Sequence, residues 1–527
     1  VARYFTSKPN RIDDFHFMCN DQDAPRFVDE SRAQPPFSAM QHLVSLLNQG
    51  RLAEGEMAAA EMTARFPQHG FGWKVLSLMQ KLQHKHGPAL HAMHRAAELL
   101  PADDEAQSNF GMALAEANQL QAAEPFLRRA WAQNPRNAKT ASNLGNLLCR
   151  QGRLAEAEMC HRQALASEPD NVVAWCNLGS TLDDMGKERE AAACYERALH
   201  IVPHFAQAQW HASLHKLLAG NFTEGWKQYE WRWQTDAFAA TARHFPQAPW
   251  LGRESLQGKT ILLHAEQGLG DTMQFCRYAK PVAERGATVV LQVPPTLKPL
   301  LAGLAGVTRV IGDDEPAPPF DFHCPLLSLP LACGSSHADL PSEIPYLFAE
   351  PSAAAAWRAR LAKTAAPRIG VAWSGNPLHR HDTKRSISLA DFASLFCANA
   401  QFVCLQNDSR ASDAAALDAH PDLLRFGAAL QDFAQTAALI DALDLVITVD
   451  TAVAHLAGAM GKPVWILLPY QPDWRWQKQR TDSPWYPSAR LFRQAAIGDW
   501  QSAIGAVRQT LAQREYLAPF APSVSRI

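Results

Sequence analysis

The sequence predicts an all-α repeat superhelix followed by an α/β part built from two similar parallel-sheet lobes. Proline recurs at Pro67, Pro101, Pro135, Pro169 and Pro203, each 34 positions after the last, the spacing of a stacked helix–turn–helix unit. Beyond residue 257 short apolar runs alternate with helical stretches, the signature of βαβ units. A strand leading into a polar turn and a helix then occurs twice, at 259–275 and at 444–461.

Residues 1–35 are polar and broken by prolines, an N-terminal extension without the apolar run of a signal peptide. Tetratricopeptide repeats are expected over 36–239, five full units to about residue 205 and a degenerate sixth. The same period recurs in Ala89, Ala123, Ala157 and Ala191, in Ala96, Ala130, Ala164 and Ala198, in Gly111, Gly145 and Gly179, and in Gly152, Gly186 and Gly220. Small residues let paired helices approach, glycine opens the turn between them, and proline stops the second helix. In the sixth unit Trp226, Tyr229, Trp231 and Trp233 replace the polar pattern and are expected to cap the stack or seal it to the next domain. Asn109, Asn143 and Asn177 share the period on the first helix of successive repeats. Such a ladder of carboxamides either holds an extended peptide backbone or serves helix packing.

A connector marked by tryptophan and proline spans 240–257, and the first α/β lobe spans 258–345. The proline- and alanine-rich stretch 346–367 reads as an interlobe linker, 368–497 as the second lobe, and 498–527 as a C-terminal helix crossing back to the first lobe, with a tail. Ligands of open parallel sheets bind at the carboxyl ends of strands, which directs attention to three turns. The first, EQGLGDTMQF at 266–275, carries Gly268, Gly270, Asp271 and Gln274, and lacks the GxGxxG spacing of a dinucleotide site. Asp271 there is either a chemical group or a helix cap. The second, WSGNPLHRHDTKRS at 373–386, offers Ser374, Gly375, Arg380, His381, Lys384 and Arg385, a cationic loop suited to a diphosphate; Gln406, Asn407 and Asp408 end the next strand, where a base or ribose would lie. In the third, Asp450, Thr451, Ala452 and His455 open a helix whose first amides and dipole favour phosphate. Capping by Asp450 or Thr451, and a carbonyl partner for His455, are the simpler alternatives.

Composition narrows the partners. A length of 527 residues exceeds one core, and a net charge of -2 with 19% charged residues gives no general attraction to nucleic acid or acidic lipid. The ten cysteines contain no CxxC pair, so buried reduced thiols are expected rather than a zinc site. No run of about 18 apolar residues suggests a transmembrane segment, and a soluble cytoplasmic protein is expected.

Taken in order, the GLGD turn, the Lys384 loop and the DTAVAH stretch resemble the ADP-heptose lipopolysaccharide heptosyltransferase family over about residues 258–495. The resemblance implies a GT-B glycosyltransferase with two Rossmann-like lobes, the first facing the acceptor and the second the nucleotide sugar. It implies Asp271 as general base, Lys384 as stabiliser of the departing phosphates, and Asp450, Thr451 and His455 as the phosphate site. Ala452 stands where that motif often has glycine, a methyl group that narrows the donor pocket and leaves the nucleotide sugar open.

The repeats resemble the superhelix of the O-linked N-acetylglucosamine transferases. The whole chain resembles bacterial fusions of repeats to a glycosyltransferase, some of which are similar to flagellin-modifying enzymes. A protein or peptide acceptor on the repeats is therefore expected, with a nucleotide sugar as co-substrate, no permanently bound cofactor and no metal. The acidic pairs Asp103–Asp104, Asp183–Asp184 and Asp313–Asp314 read as solvated. A carbohydrate-acceptor transferase and a non-catalytic repeat scaffold are the alternative readings.

Overall fold

The computed structural model describes residues 34–513 apart from 337, 362–364, 380–381 and 397–398. Most of the expected N-terminal extension, the C-terminal tail, Cys19, Cys397, Arg380 and His381 lie outside the described residues. The chain divides into two compact units, Val1–Leu147 and Leu148–Ile527, with the division inside helix Ala138–Arg150.

The first unit contains the helices Phe37–Asn48, Leu52–Arg65, Gly70–Leu82, His86–Leu99, Asp104–Glu116 and Leu120–Gln133. Its core joins Leu43, Leu46, Met62, Val75, Leu76 and Met79. Gly111 is obligatory by contact, because a Cβ there would stand 2.8 Å from Leu127. Asp103 is not simply solvated: its carboxylate accepts the Ala106 amide at 2.8 Å as an N-cap and holds Lys74 at 3.0 Å. Asn137 caps Thr140 in the same way, one period later. Asn109 is half-buried, and Asn143 donates to the Ser108 hydroxyl at 3.1 Å, so this amide takes part in packing between repeats.

The second unit continues the array with Leu154–Ser167, Val172–Asp184, Glu188–Ile201, Ala206–Leu218 and the short Phe222–Tyr229. Ala157, Ala164, Ala191 and Ala198 are fully buried where helices cross, and Asn171 continues the cap series on Ala174. The turn position is left-handed throughout both units: Gly50, His84, Asn118, Gly152, Gly186 and Gly220 all have positive φ. The glycine series therefore extends through one histidine and one asparagine, residues that carry a steric penalty there.

The aromatic cluster of the sixth repeat seals the array to the α/β part. Trp226 meets Phe275 and Trp474 edge-on, with centroids 6.0 and 5.1 Å away, and the Tyr229 hydroxyl accepts from Gln267 at 3.0 Å. Trp231 stacks on His204, and the Arg232 guanidinium lies over Trp233. Arg232 is wholly buried and reaches Glu266 at 3.0 Å, Glu230 at 2.7 Å and Ser328 at 2.8 Å. Burial pushes the Glu266 carboxyl up to about 7 against the pull of Arg232.

Two parallel sheets follow. The first has β1 (Thr260–His264), β2 (Thr288–Val293), β3 (Arg309–Gly312) and β4 (Phe322–Pro325) in the order β3-β2-β1-β4. The second has β5 (Arg368–Ala372), β6 (Gln401–Cys404), β7 (Leu445–Val449), β8 (Val464–Leu468) and β9 (Ala489–Arg493) in the order β6-β5-β7-β8-β9. β7 and β8 are buried at every residue, as strands covered on both faces must be. The order reverses beside β1 and beside β5, so the turns after β1, β5 and β7 open at switch points.

The stretch read as an interlobe linker contains helix Pro351–Arg360, whose Trp357 indole donates to Gln435 at 3.1 Å and packs on Phe426. One expectation is corrected. The C-terminal helix Trp500–Ala512 does not cross back: Ala503, Ile504, Val507 and Leu511 share a core with Ile369, Ile447 and Leu467 of the second sheet. Its apolar stripe finds the nearest uncovered strands, those that precede it in the chain. The cysteines among the described residues are free thiols, mostly buried, and no described helix is long and apolar enough to cross a membrane.

Candidate active site

The carboxyl ends of both sheets open on one cavity of about 1340 Å³, whose wall also includes Ser180, Asp183, Asp184, Trp210, His211, Leu214, His215 and Leu218 from the last repeats. After β1 the chain turns at Gly268 into helix Leu269–Phe275. Asp271 sits in the first turn of that helix; its Oδ2 accepts the Gly268 amide at 2.8 Å and its Oδ1 pairs with Arg475. Arg475 is buried and also donates to Gln274 and Asp473, each at 2.8 Å. The carboxylate is thus fixed from both sides, with lone pairs remaining on each oxygen.

Gln274, expected to meet an acceptor, is wholly buried and outside the cavity wall. Its carboxamide orients Arg475 instead. Gly268 and Gly270 do line the cavity. A Cβ on Gly270 would stand 2.6 Å from the His455 ring and 3.5 Å from the Ala452 backbone, so glycine lets the first-lobe turn touch helix Ala452–Ala459 of the second lobe.

His455 is stacked on Trp476 at 5.4 Å, and its Nδ1 lies 3.0 Å from the Tyr486 hydroxyl. Burial first, then Arg475, Arg277 and Arg385, holds its pKa well below the ordinary value, so the ring is neutral. The ring's tautomer sets which of Nδ1 and the Tyr486 hydroxyl donates in this contact. Asp450 lies at the end of β7; burial and the neighbouring Asp473 push its carboxyl up to about 6 against Arg385. Thr451 precedes the helix without capping it, its hydroxyl 3.2 Å from that of Thr448. The first amides of this helix have no side-chain cap from Thr451.

The loop after β5 is held by Gln406, which accepts the Trp373 and Ser374 amides at 2.7 and 3.1 Å and donates to the Ser374 hydroxyl at 3.0 Å. Gly375 donates to Ser386 at 3.0 Å and lies so close to Arg385 that a Cβ would stand 2.6 Å from the guanidinium. Arg385 donates to the Asp450 carbonyl at 3.1 Å, linking the second and third turns. Lys384 lies 2.7 Å from Asp184 of the repeats. Arg380 falls outside the described residues. Asn177 is half-buried and does not line the cavity.

Asp271, Lys384, Arg385, Ser374, Gly375, Gln406, Asp450, Thr451, Ala452 and His455 therefore surround one space. The residues that sequence reasoning missed are Arg475, Asp473, Trp476 and Tyr486, from the irregular stretch between β8 and β9. Their one local signal was the dense DWRW run at 473–476 after a strand end. Asp183 and Asp184 also escape the solvated reading: Asp184 engages Lys384, and Asp183 accepts the Tyr195 hydroxyl at 2.8 Å. Burial pushes Asp183 up to about 6.

Comparison with known proteins finds two families along the chain. Residues 136–203 match the tetratricopeptide repeat family, and residues 398–497 match glycosyltransferase family 9 (heptosyltransferase). The chain thus combines tetratricopeptide repeats with a glycosyltransferase family 9 domain. Protein FlbA of Caulobacter vibrioides is 28% identical over 326 residues, covering 56% of this chain and 53% of that protein. The chain spans about half the length of this curated relative. Among solved structures, YrrB, a repeat protein with an unusual peptide-binding site, is 18% identical, with a TM-score of 0.30 over 33% of this chain and 90% of its own. The thermophilic repeat protein TTC0263 of Thermus thermophilus is 23% identical, with a TM-score of 0.30 over 34% of this chain and 98% of its own.

Proposed function

We propose that the chain is an inverting GT-B glycosyltransferase that moves a sugar from a nucleotide sugar to a hydroxyl of a protein acceptor held by the repeats. The observation that carries this reading is the shared cavity: the ends of both sheets and the inner helices of the last repeats wall the same space. An acceptor lying along the repeats would enter where Asp271 and the second-lobe turns meet. Asp271 removes the acceptor proton, the freed oxygen attacks the anomeric carbon, and the departing diphosphate is met by Lys384, Arg385 and the first amides of helix Ala452–Ala459.

These cations and amides can carry the leaving-group charge without a metal. Neutral His455 adds an uncharged ring to the wall where phosphate or sugar would lie. Flagellin or another surface protein is the acceptor class, reached in the cytoplasm where nucleotide sugars are made.

The test is intact-mass analysis of candidate acceptors incubated with a panel of nucleotide sugars. A sugar-sized mass increase is expected with the wild-type chain, and a loss of roughly a thousandfold or more in rate with Asp271→Asn at unchanged donor binding. Undiminished turnover in that variant removes Asp271 from the mechanism. Donor binding with no mass shift on any protein favours a carbohydrate acceptor.

A further inference from the structure

The turn between helices Val172–Asp184 and Glu188–Ile201 brings two acidic residues onto the second lobe. Asp184 Oδ2 lies 2.7 Å from Lys384 Nζ, and Glu188 pairs with Lys478. Between them Gly186, at φ +73, is packed so closely on Tyr470 that a Cβ would stand 2.8 Å from its ring. Asp184 and Lys384 line the cavity, whereas Glu188 and Lys478 do not. The ammonium expected to meet the donor's phosphates is therefore already engaged by a carboxylate from the repeats.

We propose that Asp184 is a positioning residue that stands in for the donor: it holds the Lys384 ammonium at the cavity wall until an incoming diphosphate takes that ammonium over. The inference rests on the donor-site reading above. Lysine suits the exchange, since its compact charge and flexible stem move between partners without a fixed fork geometry. The pair is partly exposed, with side chains 38% and 25% accessible, and pairs of this kind are weak. A diphosphate brings more charge and more acceptor oxygens than one carboxylate. Donor binding then breaks the Asp184–Lys384 pair between this repeat turn and the second lobe, and leaves Glu188 on Lys478.

The experiment measures inorganic pyrophosphate binding to the full chain by calorimetry, for wild type, Asp184→Asn, Lys384→Ala, their combination, and Glu188→Gln. Asp184→Asn should tighten pyrophosphate about threefold to fivefold, Lys384→Ala should weaken it about tenfold, and the Asp184 effect should vanish in the Lys384→Ala background. Glu188→Gln, the same change in net charge, should leave the affinity as it was. In turnover with an active donor, Asp184→Asn should lower the donor KM and leave kcat alone, a split that a general loss of packing does not produce.

Unchanged or weaker binding in Asp184→Asn, while Lys384→Ala still weakens it, overturns the stand-in role and leaves the donor site intact. A tightening that persists without Lys384, or that Glu188→Gln reproduces, is general electrostatics and overturns it as well. Wild-type affinity in Lys384→Ala overturns both readings, because Lys384 then meets no phosphate.

Discussion

The repeats and the sheets bury apolar surface in opposite ways. In the repeats each job has one address per 34 residues: the left-handed turn at 50, 84, 118, 152, 186 and 220, and the cap at 103, 137 and 171. Partners such as Ser108 and Asn143 lie about one repeat apart. In the α/β part the decisive contacts join residues 204 positions apart, as in Asp271 with Arg475, or 208 apart, as in Arg277 with the Trp485 carbonyl. Nearest-neighbour stacking makes the loss of one contact local. A site assembled from distant segments has no such protection, and its buried charges depend on one another.

The sharpest way to break that contrast is at the junction. Arg232→Met removes the partner of Glu266, which has 4% of its side chain accessible; leaving that carboxylate without its cation should cost about 3–5 kcal/mol. Urea denaturation monitored by tryptophan fluorescence would measure it, and a loss under about 1 kcal/mol would mean the network contributes no more than an exposed pair.

Next in size is a pH effect inside the repeats. His161 is buried with neither ring nitrogen hydrogen-bonded to a described residue, and burial depresses its pKa to about 4. The unfolded chain takes up this proton near pH 6.5 and the folded chain does not until about pH 4, so stability falls as pH drops between those values. His161→Leu should therefore gain on the wild type across that window, by up to about 3 kcal/mol. A constant difference between the two proteins from about pH 7 to pH 4 would exclude the linkage.

The smallest effects lie at the turns. Gly152→Ala meets nothing within 4 Å but must hold φ near +78, and should cost about 1 kcal/mol. Asn118→Gly should change stability by only a few tenths, since relief of the left-handed side chain is offset by chain entropy. Equal losses in both variants would show that the turn conformation is not what the periodic glycines serve.

The same contrast explains what was legible in the sequence. The helix pairs could be read because Pro67 and its periodic relatives mark every unit, and the strands because their apolar runs end in polar turns at Asp271, Lys384 and Asp450. The order of those turns carried the resemblance to the heptosyltransferases. What could not be read depends on tertiary distance. Nothing near Gln274 says that Arg475 will bury it, and nothing near Asp184 says that Lys384 will face it. The C-terminal helix carries an apolar stripe, but a stripe does not name the sheet it covers. His84 and Asn118 hid two members of the turn series because the backbone angle, not the residue type, is what repeats.

The boundary at Leu147 separates the modules of the array into two groups. The last repeats fall in the same compact unit as both sheets, while the earlier ones form a unit of their own. The residues that wall the cavity begin at Ser180, so the earlier unit contributes none of them. The number of repeats ahead of Leu147 and the make-up of the cavity wall are thereby separate variables of the sequence.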